Sequence, residues 1–197
     1  MISEHQTRTA LISEGLKALI ANGYDGVGIG PILTAAGVPR GSFYYFFKSK
    51  EEFAVAVLEA YHRHYQDLHA PLLDDAALSP SQRLRDYFDD LERIHLAETP
   101  LGGCLYGVFA QTVSARSAAF RDKLASIFAI WAAQLAKLLE TAQTMGEIDP
   151  TLDPKEAAGF LIEAYEGALI RMKVDGNAVG FDRFRRFALE PILAKPG

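Results

Sequence analysis

The sequence predicts an all-α fold. Apolar residues recur at i, i+3 and i+4 through most of its 197 residues, the spacing of one buried helix face. Glycine and proline clusters cut these stretches into helix-sized pieces. No alternating apolar run or hairpin turn marks a strand. The expected organisation is a three-helix N-terminal domain over 1–50 and a larger helical domain over 51–197.

The first helix is expected from Ser3 to Asn22. Leu11, Ile12, Gly15, Leu16, Leu19 and Ile20 share its inner face, and Asn22-Gly23 stops it. Thr7 and Arg8 lie near its start, on a surface open to solvent or to a phosphate backbone. From Ile29 to Lys50 the pattern is helix, glycine turn, helix. Ile32, Leu33 and Ala36 recur on one face, Gly37 ends that helix, and Pro39 fits the opening of the next because its missing N–H has no partner there.

The second of the pair, about Arg40 to Phe46, is short and aromatic. Phe43, Phe46 and Phe47 can point inward together, while Arg40 with Tyr44 and Gly41 with Tyr45 fall on other faces. One side is thus an anchor, and the other presents a guanidinium, two phenols and bare glycine backbone. That face suits a DNA major groove. Arg40 would fork onto guanine O6 and N7, Gly41 would allow close backbone approach, and Tyr44, Lys48 and Lys50 would hold phosphates. Ser42 and Tyr45 belong to the same DNA-binding set. The same spacing also fits an ordinary pair of core helices.

Ser49 and Glu52 form a capping box that opens a long helix to about Leu73, with Phe53, Val57, Tyr61, His64 and Leu68 on one stripe. His62, His64 and His69 lie close in sequence, but His62 and His64 do not share a face, so no metal site is expected. Pro71 and Pro80 bracket a connection. The next helix, Gln82 to about Glu98, carries Leu84, Tyr87, Phe88, Leu91, Ile94 and His95. Thr99 to Gly103 breaks it. Helices follow at about Cys104–Ser114, Ser117–Met145 (inner face Phe120, Leu124, Ile127, Phe128, Trp131, Leu135 and Leu138), Pro154–Val174 and Gly180–Ala194.

The stretch Ala36-Gly37-Val38, Gly41, Tyr44 and Phe47-Lys48-Ser49-Lys50-Glu51, preceded by a helix ending Asn22-Gly23-Tyr24-Asp25-Gly26, resembles the DNA-binding domain of TetR-family transcriptional repressors. The resemblance implies a helix-turn-helix DNA-binding domain over 1–50 and a ligand-binding and dimerisation domain over 51–197. It implies a double-stranded DNA operator as partner and a homodimer through the last two helices, matching a palindromic site. Ala157, Ala158, Leu161, Ala164, Tyr165, Ala168, Leu169 and Met172 form the stripe expected at that interface, although the same stripe can also pack within one chain. The chain departs from the family at Gly28, Pro31 and Pro39, where hydroxyl or acidic residues are usual; glycine and proline still permit the helices but donate no side-chain contact to phosphate.

The net charge of −5 is distributed unevenly. Residues 1–50 hold five basic and three acidic residues, a net +2, leaving −7 for the remainder. Positive charge is therefore local to the DNA-binding segment. One cysteine excludes an internal disulfide framework, the N-terminus lacks a signal-peptide pattern, and no apolar run is expected to reach membrane-span length, so a cytoplasmic protein without a membrane partner is expected. No cofactor motif is present.

Cys104 sits in Gly102-Gly103-Cys104-Leu105, at an expected helix start whose dipole favours thiolate. This segment, with Phe120-Arg121 and Gly167 to Lys173, resembles the electrophile- or acrylate-responsive branch of the family. That resemblance implies a small-molecule or electrophile inducer, with Cys104 as sensor and Lys173 as its partner. Tyr106, Phe109, Phe128, Trp131 and Tyr165 are the candidate pocket aromatics. Three alternatives stand beside this one: a noncovalent inducer with Cys104 inert in the core, a thiol enzyme pairing Cys104 with His95, and an architectural DNA binder without a sensor. No catalytic set is complete, so the chain is read as a regulator and not an enzyme.

Overall fold

The computed structural model describes residues 4–98 and 103–195. Among these residues every regular element is helical. They are α1 (Glu4–Gly26), α2 (Ile29–Ala35), α3 (Phe43–Phe46, entered through a 3-10 turn at Arg40–Ser42), α4 (Lys50–Leu73), α5 (Pro80–Glu98), α6 (Leu105–Thr112), α7 (Ala118–Thr144), α8 (Pro154–Asp175), α9 (Val179–Phe184) and α10 (Glu190–Leu193). The chain forms two compact units. The first comprises Met1–Tyr65 with Leu105–Ala125, the second Gln66–Cys104 with Ser126–Gly197. Residues 51–65 and 105–125 thus pack with the N-terminal helices.

In the first unit the expected punctuation is in place. Gly23 takes φ 69° and ends the regular part of α1, while Gly37 takes φ 66° between α2 and the 3-10 turn. Ser49 Oγ accepts from the Glu52 N–H at 3.0 Å, and Glu52 returns by accepting from the Lys48 N–H at 3.0 Å. The core is Leu11, Leu19, Ile32, Leu33, Phe43, Phe47, Phe53 and Val57. Phe46, expected inward, is only half-buried. Gly15 lets α4 approach α1: a Cβ there would stand 2.3 Å from Phe53 Cζ.

The α4 stripe differs from expectation. Phe53, Val57 and Tyr61 are buried, but His64 and Leu68 are exposed. The inner line continues through half-buried Tyr65 to buried His69, because it keeps the i, i+4 step where the sequence reading changed to i+3. Pro71 lies inside the last turn of α4, so the connection to α5 begins after Leu73.

In the second unit Leu84, Tyr87, Phe88, Leu91, Ile94 and His95 all point inward from α5. Phe88, Tyr165, Phe181 and Phe184 form a ring cluster with centroids 4.8–5.5 Å apart. Asp153 caps α8 by accepting from the Lys155 and Glu156 N–H groups, and Gly176 closes it in the left-handed conformation. Arg185 pairs with Asp89 and Glu92, and Arg85 forms a two-pronged pair with Glu190 at 2.9 and 3.0 Å. The break expected between α5 and α6 falls mostly on residues 99–102, outside the described residues.

Three expectations are corrected here. The last helix is not continuous: Arg185–Leu189 forms a π turn before α10. Pro191 explains it, since proline cannot donate to the preceding turn and its ring crowds the carbonyl four residues back, which a widened turn relieves. The stripe assigned to the dimer interface faces inward: Ala157, Ala158, Leu161, Tyr165, Ala168, Leu169 and Met172 are buried within one chain. The exposed apolar residues of α8 are instead Phe160, Ile170 and Val174. Finally, α7 is long and apolar enough to cross a membrane by length and composition, owing to its alanines at 125, 129, 132, 133 and 136. Its buried Phe120, Leu124, Ile127, Trp131, Leu135 and Leu139 are the residues of a core helix.

Gly15→Ala is expected to cost about 1–3 kcal/mol, because the added methyl meets a packed ring. Thermal melting checks this; Phe53→Leu in the Gly15→Ala background should recover part of the loss.

Candidate DNA-reading and sensor sites

The reading face is built on a helix too short to stand alone. Four-residue α3 falls far below the ~12–15 residues that an isolated helix needs. Packing of Phe43 against Phe47 and Phe53, with centroids 5.7 and 5.5 Å away, holds it in place. Burying such a ring contributes about 1.5–3 kcal/mol, which offsets part of the roughly 4–8 kcal/mol of backbone entropy that ordering four residues costs; the other rings of the cluster add to it. On the outside, Tyr44 and Tyr45 are each 68% exposed, and Arg40 and Lys48 are exposed as well. Arg40 holds no partner among the described residues, so its guanidinium is available to a ligand. Gly41, Ser42 and Tyr45 line an open groove with Thr7 and Glu4. Arg8 stacks over the Phe47 ring at 5.3 Å.

Two residues of the expected DNA-binding set are engaged elsewhere. The Lys50 ammonium donates to the Tyr24 carbonyl oxygen and lies 4.5 Å from the Tyr24 ring centroid. The Tyr45 hydroxyl donates to Glu4 Oε1 at 2.7 Å, and that carboxylate raises the phenol's pKa. Neither partner is adjacent in sequence, so spacing could not reveal them.

Of the expected sensor residues, Tyr106 and Phe109 lie in the first unit. The Tyr106 hydroxyl is 3.0 Å from His62 Nδ1, and Phe109 packs on Phe120 with centroids 4.9 Å apart. Burial, aided by Lys123 and Arg63, lowers the His62 pKa. In the second unit Trp131 is buried and stacks on Phe128, while Tyr165 joins the aromatic cluster. His95 Nδ1 lies 2.7 Å from the Leu91 carbonyl oxygen and 3.1 Å from the Tyr165 hydroxyl. A carbonyl only accepts, so Nδ1 carries the proton. Burial lowers the His95 pKa and keeps the ring neutral. His69 pairs with Asp90 at 3.2 Å, and His64 is exposed, so the three clustered histidines have separate settings.

Cys104 is buried and free of disulfide. Gly103 before it takes φ 85°, and the Lys173 stem lies over it: a Cβ on Gly103 would meet Lys173 Cδ at 3.1 Å and Nζ at 3.5 Å. The residue that the sequence reading missed is Glu166. Its carboxylate accepts a hydrogen bond from Cys104, and burial pushes its pKa up to about 7 against that bond's opposing effect. The residue as a whole is half-buried, but Oε1 is sealed from solvent and accepts no hydrogen bond from the described residues. A signal existed: one acidic residue stands among Ala164, Tyr165, Gly167, Ala168 and Leu169, two turns from Lys173 on the same helix side.

A short, anchored helix with an exposed polar face, set after a glycine turn, is the arrangement of a helix-turn-helix. The chain belongs to the TetR family of bacterial regulatory proteins: residues 11–57 match that family's description, and residues 80–188 match the tetracyclin repressor-like C-terminal domain. It is 35% identical over 187 residues to the HTH-type transcriptional repressor DhaR of Mycobacterium sp. (strain GP1), covering 94% of this chain and 92% of DhaR. It is also 35% identical over 166 residues to the transcriptional regulator AcuR of Cereibacter sphaeroides, covering 84% and 76% of the two chains. Among solved structures, a TetR regulatory protein from Rhodobacter sphaeroides superposes with TM-score 0.88 at 33% identity, covering 93% of this chain and 97% of that one. The reduced form of Escherichia coli NemR superposes with TM-score 0.89 at 26% identity, covering 98% and 100%. These relatives are transcriptional regulators, and the family binds DNA operators as dimers.

Because the folded chain holds the Glu166 proton to higher pH than the unfolded chain, the stability tied to neutral Glu166 is full below about 4.5 and is lost as pH rises through about 7. Glu166→Gln is expected to remove on the order of 3 kcal/mol of pH dependence across that window. Denaturant unfolding at pH 4.5 and 8 would show it as a smaller difference in the variant.

Proposed function

We propose that this chain is a homodimeric transcriptional repressor whose residues 1–50 read a palindromic operator and whose residues 51–197 release it in response to an inducer. The exposed face of α3 and its 3-10 entry, held by the Phe43 anchor, carries the reading. Arg40 reads a guanine, Gly41 and Ser42 approach the backbone, and Tyr44 and Lys48 hold phosphates. Lys50 and Tyr45 support this face, tying α4 to Tyr24 and α3 to Glu4 at the two ends of α1. The second copy joins through α8 and the α9–α10 segment, where Phe160, Ile170, Val174 and Phe187 leave apolar surface exposed.

The inducer acts at Cys104, as a small electrophile or oxidant that modifies the thiol. Support comes from Lys173 lying over Gly103, from the carboxyl partner at the thiol, and from the likeness to NemR, one of whose solved structures is a reduced form. Modification shifts the dimer toward a spacing of the two reading heads that no longer fits both half-sites. A second reading has a specific observation in its favour: Cys104 is only 7% exposed, as an inert core thiol beside a noncovalent inducer would be.

Operator binding measured by fluorescence anisotropy tests both halves. Arg40→Ala should weaken binding about 10–100-fold, the loss of one bidentate base contact. Undiminished binding would remove α3 from the interface. N-ethylmaleimide should release wild type and spare Cys104→Ser; release of neither would favour the noncovalent inducer.

A further inference from the structure

We infer that Glu166 is the proton acceptor for the Cys104 thiol when that thiol adds to an α,β-unsaturated carbonyl compound. The inference rests on Cys104 being the sensor and adds the group that makes a buried thiol reactive. The nucleophile in such additions is the thiolate. A buried thiol cannot pass its proton freely to water, so it needs a base in contact with it. Glu166 is that contact: its carboxylate accepts from Sγ.

Three features of Glu166 fit the role. Its Oε1 is sealed from solvent and accepts no hydrogen bond from the described residues, so among them the carboxylate keeps unused acceptor capacity where burial makes a charge costly. Taking up the thiol proton neutralises that charge. A base whose pKa sits near neutral pH is also matched to proton transfer under ordinary conditions, and burial pushes Glu166 to about 7. A purely structural hydrogen bond from the thiol would require none of these.

The step balances without a further reactant. The Sγ–Cβ bond forms as the alkene π pair moves onto the carbonyl as an enolate. The thiol proton passes to Glu166 and then to the α-carbon. The product is a thioether, Glu166 returns to its starting state, and nothing is oxidised or reduced. The ligand class is a small, uncharged enone, α,β-unsaturated amide or maleimide.

The test is the rate of Cys104 alkylation by acrylamide across pH 5.5–9, read by intact mass on the full-length protein. Wild type should show a rate inflection near 7. Glu166→Gln, which keeps the shape of the side chain, should react about 100-fold more slowly at pH 7.5, the size of one general-base contribution. It should also shift its inflection toward the ordinary thiol value of about 8.5. Glu166→Asp should recover part of the rate, and melting curves should confirm that each variant is folded. Equal rates and equal pH profiles in wild type and Glu166→Gln would overturn the role of Glu166 while leaving Cys104 as the sensor. Wild type that forms no Cys104 adduct would overturn the sensor reading itself, and this inference with it.

Discussion

The reading head depends on three rings. Phe43, Phe47 and Phe53 lie within 5.0–5.7 Å of one another, and on them rests a helix of four residues that has no stability of its own. Every exposed group of the face, from Arg40 to Lys48, inherits its position from that contact. The constraint reaches α1 as well, since Phe53 can occupy its place only because Gly15 carries no side chain. A dry aromatic anchor behind a polar face lets so short an element hold its exposed side chains with little backbone freedom to lose on binding.

The second unit carries a different kind of constraint. Its buried polar groups are placed against specific partners: His95 between the Leu91 carbonyl and the Tyr165 hydroxyl, His69 against Asp90, and Glu166 under the Cys104 thiol. Burial holds His95 neutral, so its pair with Tyr165 is a structural tie. Glu166 differs in its titration, because burial pushes the pKa of its carboxyl up to about 7.

Most of the fold was legible because helix periodicity and its punctuation are local signals. Gly23, Gly37 and Ser49 with Glu52 end or begin helices where their chemistry demands it. What failed was non-local or ambiguous. Tyr45 and Lys50 looked like free surface groups, but their partners stand 41 and 26 residues away. On α8 two apolar faces wind round one helix, and composition alone does not say which packs inward; Ala157 to Met172 proved internal, leaving Phe160, Ile170 and Val174 outside. Pro191 was readable as a helix disturbance and was passed over. Glu166 was overlooked because an acid on a long helix ordinarily faces water, and only packing shows that this one does not.

The central claim is that α3 reads a two-fold DNA sequence for a dimer. The most direct measurement is selection of bound duplexes from a random library, followed by sequencing. The account expects strong enrichment of an inverted repeat with half-sites spaced by about one helical turn or a multiple of it. Enrichment of no sequence above the starting library would contradict it and make the chain a sequence-independent DNA binder or no DNA binder at all.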